Sequence, residues 1–286
     1  MNDTGPKDSR ARANQPLQRP REMETSNLSP AEVTRYNRQI TLKGWGREAQ
    51  ERLKSSRVLI AGAGGLGCAA ALYLMAGGVG AIRLADQARV NLADLGHQVL
   101  YREQDLGKPK ATAAGRWLKE LNSFVLVESL VKALSPHNVM RLAYGCQTLI
   151  DATNDAAAGL VLNQAAVKLR LPLVHACLWD MEGQVTTFWP GHGPCLACSF
   201  PPATRAGSLS LLSPLAGILG ALQALEALRL LGGLGAALVG RILGVDGNSC
   251  RFTEGILKPN PVCPSCQAPG QMSQEAKDLP KIIESG

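Results

Sequence analysis

A glycine-rich turn between a predicted strand and a predicted helix limits the possible folds of this chain more than any other feature. Residues 57–61 form a short apolar run that is typical of a buried parallel strand, and residues 62–67 read GAGGLG. In this setting Gly62 permits a tight turn, Gly64 lets a phosphate approach the backbone, and Gly67 lets the following helix pack closely on the strand. The pattern predicts a nucleotide-binding βαβ unit.

The second predicted strand, residues 81–85, ends at Asp86, whose carboxylate is placed to accept hydrogen bonds from ribose hydroxyls. A helix is predicted over 156–169, and further strands are predicted at 125–130, 148–152, 172–178 and 184–189. This alternation predicts an α/β fold with a Rossmann-like, doubly wound, mostly parallel sheet and helices on both faces. NAD, FAD and ATP sites share this geometry, so the glycine motif alone leaves the nucleotide open.

The predicted domain organisation is simple. Ser29 followed by Pro30 is typical of a helix start, and we expect a single domain over 29–268 between a disordered tail, 1–28, and a mobile tail, 269–286.

Five of the seven net positive charges lie in residues 1–57. Because the rest of the chain is nearly neutral and aromatic residues make up only 4%, we expect no nucleic-acid partner.

A long Leu/Ala/Gly-rich segment, 209–245, raises the question of a membrane. Gln223, Glu226 and Arg229 interrupt it, and the uninterrupted apolar stretch 214–222 is too short to cross a bilayer. We therefore expect a helix buried in the core or in a subunit interface, and no membrane partner. The first 26 residues are polar and contain no apolar core of a signal peptide, which favours a cytoplasmic protein.

Two Cys-x-x-Cys pairs predict a metal site. Their members are Cys195, Cys198, Cys263 and Cys266. Four thiolates with this spacing match a tetrahedral zinc site that has no open position, so the zinc is expected to be structural. The other cysteines are predicted to be small core residues; these are Cys68, Cys146, Cys177 and Cys250.

Several collinear motifs resemble one known family. They are RYNRQI at 35–40, VLIAGAGGLGC at 58–68, LGKPK at 106–110, MEGQ at 181–184, PLAGILGALQALEA at 214–227 and both cysteine pairs. Together they resemble the ThiF/MoeB/HesA group, adenylyltransferases related to ubiquitin-activating enzymes, and most closely the molybdopterin-synthase type. The resemblance runs from about residue 35 to 267.

The resemblance implies ATP-dependent adenylylation of the C-terminal glycine carboxylate of a ubiquitin-like sulfur-carrier protein of the molybdopterin-synthase or thiazole-synthesis type, with Mg²⁺, a structural Zn²⁺ and a homodimer. It implies catalytic roles for three residues, Arg38, Lys110 and Asp155. Arg38 is expected to reach the phosphates of the partner subunit. The nucleotide-binding residues implied are Gly62, Gly64, Gly65, Gly67, Asp86, Arg35, His97 and Asn154.

Four positions depart from the family pattern. Asp94 stands where the family has an amide, and His97, largely uncharged near pH 7, stands where it has an arginine. The family's Thr-Asp-Asn, whose Asp binds magnesium, reads Thr-Asn-Asp at 153–155, and an expected arginine is Gly159. The segment 199–212 contains no cysteine, although members that form a thioester carry one there, so no such intermediate is predicted.

Two other functions remain open at the level of sequence. The charge changes favour a degenerate relative that binds nucleotide or carrier with weakened or no catalysis. The glycine motif alone permits a nicotinamide-dependent oxidoreductase. The 35–40 motif and Lys110 argue against the oxidoreductase, since hydride transfer needs no phosphate-directed cations.

Overall fold

The computed structural model describes residues 27–199 and 212–266. The predicted tails lie outside these ranges, apart from Asn27 and Leu28 at the end of the first. Leu28 is buried, and the carbonyl of Asn27 accepts a 3.0 Å hydrogen bond from Lys54 Nζ. The segment 199–212, where a catalytic cysteine was sought, is described only at its two ends.

One eight-stranded sheet runs through the described residues. Its strands are β1 (Arg57–Ala61), β2 (Ala81–Ala85), β3 (Leu126–Leu130), β4 (Thr148–Asp151), β5 (Leu173–Trp179), β6 (Glu182–Phe188), β7 (Arg241–Asp246) and β8 (Arg251–Ile256). Their order is β3-β2-β1-β4-β5-β6-β7-β8, parallel from β3 to β5 and antiparallel from β5 to β8. The first five strands have the doubly wound order: strands are added on one side of β1 up to β3 and on its other side from β4 onward.

Nine helices accompany the sheet in the part of the chain that is described. They are α1 (Pro30–Arg35), α2 (Asn37–Ile40), α3 (Gly46–Lys54), α4 (Gly65–Gly77), α5 (Lys110–Leu121), α6 (Val139–Ala143), α7 (Ala156–Leu169), α8 (Leu196–Ser199) and α9 (Ser213–Gly232). Ser29 caps α1 in a capping box with Glu32. Helices α4, α5 and α9 pack on one face of the sheet, and α6 and α7 pack on the other. The predicted fold class is confirmed.

Helix α9 alone, among the described helices, is long and apolar enough to cross a membrane. Slightly more than half of its apolar window, 56%, is buried inside the protein. Its polar side chains are also used internally: Gln223 Nε2 donates to the carbonyl of Asp151 at 2.6 Å, and Glu226 Oε1 accepts from Thr187 Oγ1 at 3.1 Å and from the N–H of Leu238 at 2.7 Å. Gln223 and Glu226, which interrupt the apolar sequence of α9, therefore bond this core helix to neighbouring parts of the fold.

Helices α4 and α9 cross with almost no space between their backbones. A methyl group at Gly220 would contact the carbonyl of Leu66 and would lie 2.8 Å from Cβ of Ala69. Three residues earlier, a methyl at Gly217 would meet nothing within 4 Å. The crossing therefore depends on Gly220 and not on Gly217.

We predict opposite effects for two matched substitutions in α9. Gly220→Ala lowers the free energy of unfolding by about 1–3 kcal/mol because the methyl overpacks the crossing. Gly217→Ala raises it by up to about 1 kcal/mol, since alanine favours a helix interior and meets open space. Urea titration measures both, and a Gly220→Ala protein as stable as the Gly217→Ala protein would contradict this account of the crossing.

Candidate functional site

The glycine turn lies at the carboxyl ends of the parallel strands β1 and β4, where the order of strand addition in the sheet changes side. Gly62 has φ +92°, and a Cβ there would lie 2.6 Å from the carbonyl oxygen of Ala152. A Cβ at Gly67 would collide with the carbonyl of Gly62. At Gly64 a Cβ would meet nothing within 4 Å. The two flanking glycines are thus required by close packing, and the middle one faces open space that a ligand can fill.

Side chains from two other segments hold this turn in place through Ala63. Asp86 Oδ2 accepts the N–H of Ala63 at 2.7 Å, and the hydroxyl of Tyr101 donates to its carbonyl, also at 2.7 Å. The second oxygen of Asp86 accepts the N–H of Ala88 at 2.7 Å. Asp86 therefore lies beside the turn, half-buried, and each oxygen retains lone-pair capacity for a further donor.

Helix α4 begins at Gly65 with no side chain capping its N-terminus. Its first N–H groups and the helix dipole point toward the open side of the turn and favour an anion there. A Cβ at Gly65 would lie 2.9 Å from Ala216 Cβ of α9 and 3.2 Å from the carbonyl of His97. The absence of a side chain at Gly65 lets α9 and the 97–102 segment form a wall close to the turn.

Lys110, the first residue of α5, is paired with Asp94. The Lys110 Nζ to Asp94 Oδ1 distance is 2.9 Å, and both residues are buried. Asp94 also accepts from Gln98 Nε2 at 2.7 Å and from the N–H of Asn91 at 2.9 Å. The expected family amide would leave the lysine charge uncompensated, whereas Asp94 neutralises it. A phosphate at this site must share the ammonium group with a carboxylate.

The side-chain amide of Gln98, which bonds Asp94, also contacts His97. Gln98 Nε2 lies 3.1 Å from His97 Nε2 and also contacts the Asp94 carboxylate. Because a carboxylate only accepts, the Gln98 nitrogen must be the group facing Asp94, and its second N–H then donates to His97. The contact therefore makes His97 Nε2 the acceptor of an N–H from Gln98.

The shifted Asn-Asp pair after β4 makes local backbone contacts. Asn154 has φ +54°, a left-handed conformation that Asn tolerates well. Its amide donates to the carbonyl of Leu178 at 3.0 Å and accepts the N–H of the same residue at 2.9 Å. Asp155 caps α7, its Oδ1 accepting the N–H groups of Ala157 and Ala158. One N–H and one lone pair of the Asn154 amide are thus engaged, and Asp155 keeps one carboxylate oxygen available.

The two arginines of the 35–40 motif lie far from the glycine turn of their own chain. Arg35 Nη2 donates to the carbonyl of Leu121 at 2.5 Å, at the end of α5 opposite Lys110. Exposed Arg38 is on α2, whose neighbouring Gln39 bonds the carbonyl of Gly77 at the far end of α4. With a rise of 1.5 Å per residue, α4 separates that end from the turn by about 20 Å. The structure does not bring these arginines together with the other predicted nucleotide-binding residues.

A buried ion pair that the sequence analysis missed lies beneath the same edge of the sheet. Asp151, the last residue of β4, places Oδ2 2.8 Å from His175 Nδ1 on β5. Burial alone would lower the pKa of His175, but hydrogen bonds to Asp151 and to the Cys177 sulfur raise it to about 10. The available signal was a histidine inside an otherwise apolar predicted strand.

The four cysteines of the predicted metal site come together. Their sulfurs lie within 4.8 Å of one another, with Cys195 to Cys198 and Cys195 to Cys263 at 3.7 Å and Cys198 to Cys266 at 3.3 Å. A tetrahedron with Zn–S bonds of 2.3 Å has sulfurs roughly 3.8 Å apart. The cluster therefore has the size of a four-thiolate metal site, between α8 and the segment after β8.

The remaining cysteines have mixed environments. Cys68 and Cys146 are buried, and burial raises the pKa of the Cys68 thiol to about 12 and that of Cys146 to about 11. The prediction of core residues is wrong for Cys250, which is exposed in the turn between β7 and β8 and so has no apolar surroundings. Cys177 is only half-buried, because it lies near the carboxyl end of β5.

Comparisons with known proteins identify the family of this chain. Residues 36–266 match the ThiF family. The chain is 37% identical over 250 residues to "Adenylyltransferase and sulfurtransferase MOCS3" of Drosophila sechellia, which covers 85% of this chain and 55% of that protein. It is 36% identical over 252 residues to the heterocyst HesA protein of Trichormus variabilis, covering 87% of this chain and 94% of that one. The chain thus spans about half the length of its MOCS3 relatives.

Solved structures show the same fold. E. coli MccB superposes with a TM-score of 0.74 at 21% identity, covering 85% of this chain and 74% of the other. PaaA superposes with a TM-score of 0.70 at 26% identity, covering 84% and 78%. With a family match over residues 36–266 and relatives above 30% identity, the chain belongs to the ThiF family.

Proposed function

We propose that this protein adenylylates the C-terminal glycine carboxylate of a ubiquitin-like sulfur-carrier protein. The observation that carries the proposal is the open glycine turn at the head of α4, with Asp86 beside it and Lys110 nearby. The carrier's carboxylate oxygen attacks the α-phosphorus of ATP, the bond to the bridging oxygen breaks, and pyrophosphate leaves. The names of the MOCS3 relatives support this reaction class.

Each residue of the site has a role that its contacts permit. The uncapped N–H groups of α4 donate to phosphate oxygens. Asp86 accepts the ribose hydroxyls with the lone pairs that Ala63 and Ala88 leave available. Lys110 Nζ has three N–H donors, of which Asp94 uses one. His97 and Asn154, predicted to bind nucleotide, are assigned to the rim of the site, where each already has a bond within the protein. Arg35, also predicted to bind nucleotide, lies far from the glycine turn of its own chain and is assigned to the site of another copy.

The residues present suit magnesium and zinc. One carboxylate together with phosphate oxygens is a usual ligand set for Mg²⁺, and Asp155 has the available oxygen. Bound Mg²⁺ would neutralise charge that develops on the phosphates. The four thiols fit Zn²⁺, which would tie the segment after β8 to α8. We propose these roles for Asp155 and for the four cysteines, and we also propose that the protein is cytoplasmic.

A second candidate function is nucleotide or carrier binding with little or no catalysis. The Lys110–Asp94 pair favours it, because Asp94 neutralises the charge of the lysine that is proposed to contact phosphate. Exchange of radiolabelled pyrophosphate into ATP, measured with carriers that end in Gly-Gly, separates the two candidates. Carrier-dependent exchange supports the enzyme, whereas ATP binding without exchange supports the binding protein.

Restoring positive charge at position 97 tests the site directly. We predict that His97→Arg raises the exchange rate about tenfold or more, since one cation beside developing phosphate charge is worth on the order of 1.4 kcal/mol or more. His137→Arg is the matched control, because His137 is exposed between β3 and α6. Equal rates in the two variants would mean that other groups neutralise the phosphates.

The position of Arg38 predicts a homodimer with shared sites. Arg38→Ala and Lys110→Ala should each abolish exchange, while an equal mixture recovers about a quarter of wild-type activity, because only hybrid dimers contain an intact site. Lys43→Ala, an exposed cation next to α2, serves as control and keeps activity. If the mixture stayed inactive although the subunits exchanged, Arg38 would not act across the dimer.

The thiol cluster predicts about one zinc per chain. Cys198→Ser should reduce the zinc content measured by elemental analysis to near zero and lower the melting temperature, because three ligands hold the metal weakly. Cys250→Ser changes an exposed thiol outside the cluster and should leave both unchanged. A Cys198→Ser protein with full zinc content would rule out this ligand set.

A further inference from the structure

A series of hydrogen bonds joins the buried Asp151–His175 pair to the N-cap of α7. Asp151 Oδ2 accepts from His175 Nδ1 at 2.8 Å. Its other oxygen, Oδ1, accepts the N–H of Thr153 at 3.1 Å and the hydroxyl of the same residue at 2.7 Å. Because an ionised carboxylate only accepts, the hydroxyl proton of Thr153 points to Asp151, and the hydroxyl oxygen accepts the N–H of Asp155 at 3.2 Å. The linked residues, in order, are His175, Asp151, Thr153 and Asp155.

The inner end of this series is enclosed by the protein. Asp151 is 1% exposed, and His175 is also buried. The main-chain carbonyl of Asp151 accepts from Gln223 Nε2 of α9 at 2.6 Å, which fixes the backbone at the end of β4. Rotation of the Asp151 side chain would leave a buried charge without its partners, which is costly. The carboxylate is therefore held in one orientation.

Gly159 of α7 lies directly over this carboxylate. A Cβ at Gly159 would lie 2.8 Å from Asp151 Oδ2, so a larger residue would have to displace the carboxylate. The arginine expected at this position from the family resemblance is absent. In this chain His175 supplies, from β5, the donor that Oδ2 needs.

The outer end of the series lies beside the glycine turn. A Cβ at Gly62 would lie 3.1 Å from Cα of Thr153, so the two backbones are in close contact. Exposed Asp155 caps α7 with Oδ1 and keeps one carboxylate oxygen available. The N–H that the Thr153 hydroxyl accepts belongs to Asp155 itself. The series therefore fixes the backbone of Asp155 relative to the turn.

We propose that His175 and Thr153 are positioning residues for Asp155, and that Asp151 connects them. This rests on the function proposed above, in which Asp155 binds Mg²⁺ together with phosphate oxygens. His175 fixes the Asp151 carboxylate, and Asp151 orients the Thr153 hydroxyl. That hydroxyl in turn fixes Asp155. Partners that orient a metal-binding side chain commonly contribute about 10–100-fold to metal affinity.

A role in stability alone leads to a different expectation. Loss of a purely structural hydrogen bond changes nucleotide binding equally with and without a divalent metal. Loss of a positioning residue for Asp155 weakens only the binding of the metal-loaded nucleotide. The quantity that separates the two roles is the metal preference, which is the ratio of the nucleotide dissociation constant without divalent metal to that with Mn²⁺.

Calorimetric titration with α,β-methylene ATP, which cannot release pyrophosphate, measures this preference in the whole protein. His175→Leu and Thr153→Val should each lower the metal preference about tenfold. His175→Asn retains an N–H donor at the place of Nδ1 and should keep the preference. Thr187→Val is the matched control, because it removes a buried 3.1 Å hydrogen bond to Glu226 of α9, away from Asp155. It should lower the melting temperature and leave the preference unchanged.

The double variant tests whether the two residues act through one path. His175→Leu combined with Thr153→Val should lower the metal preference by no more than about threefold beyond the stronger single substitution, because members of one network are not additive. Effects that multiply would overturn the connection through Asp151.

Thr153→Val leaves the Asp151–His175 pair in place, so the test does not depend on the folding of His175→Leu. If the wild-type protein prefers the Mn²⁺-loaded nucleotide and the variants keep that preference, the positioning roles fail and the proposed function stands. If the wild-type protein shows neither this preference nor pyrophosphate exchange, the proposed function fails, and the positioning roles with it.

Discussion

The contact between Gly62 and Gly67 is the constraint on which the rest of this site depends. Helix α4 can begin so soon after β1 only because residue 67 is a glycine. A Cβ at this residue would collide with the carbonyl of Gly62. That approach directs the uncapped N–H groups of α4 to the carboxyl edge of the sheet, next to Asp86. Ala216 of α9 and the carbonyl of His97 lie close to Gly65, where a Cβ would come within 2.9 Å and 3.2 Å of them.

Electrostatics distinguishes this site from a simple phosphate cradle. Burying Lys110 with Asp94 avoids the cost of an isolated buried charge, but it leaves the pocket nearly neutral. The side-chain amide of Gln98, which bonds Asp94, also contacts His97 Nε2 at 3.1 Å. In the proposed function, the favourable terms that remain are backbone dipoles, the free donors of Lys110, the metal ion proposed at Asp155 and the arginines proposed to come from another copy. Affinity for a triphosphate should therefore depend more on assembly and on the metal than on the isolated protomer.

Much of the parallel half of the fold could be predicted from sequence, because buried parallel strands and their helices have strong periodic signals. The run 57–61 and the helix 156–169 agree with β1 and α7 in both position and type. Strands β7 and β8 were missed. Their residues are largely exposed or half-buried, and β7 lies in a Gly/Leu-rich stretch whose apolar character resembles that of the preceding helix. Local pattern cannot separate such segments, since their pairing partners are distant in the chain.

Some site residues could likewise be predicted from sequence, and others could not. The glycines of the turn and the cysteines of the metal cluster could be predicted from sequence, because the spacing of the residues in each motif is itself typical of the structure. Contacts such as Lys110 with Asp94 or Asp151 with His175 join residues that are 16 and 24 positions apart on different elements, and only the fold brings them together. The engagement of Asn154 with Leu178 depends on a left-handed backbone that no motif predicts.

A metal ion bound by the four cysteines would also give the molecule a closed topology. A metal joining Cys198 to Cys263 would convert the intervening 64 residues into a ring, and that ring contains α9, whose Ala216 forms the wall beside Gly65. Cross-links of this kind act mainly by restricting the unfolded chain. Depletion of the metal would therefore loosen the helix that borders the nucleotide, and metal supply and nucleotide affinity would vary together although their ligands share no atom.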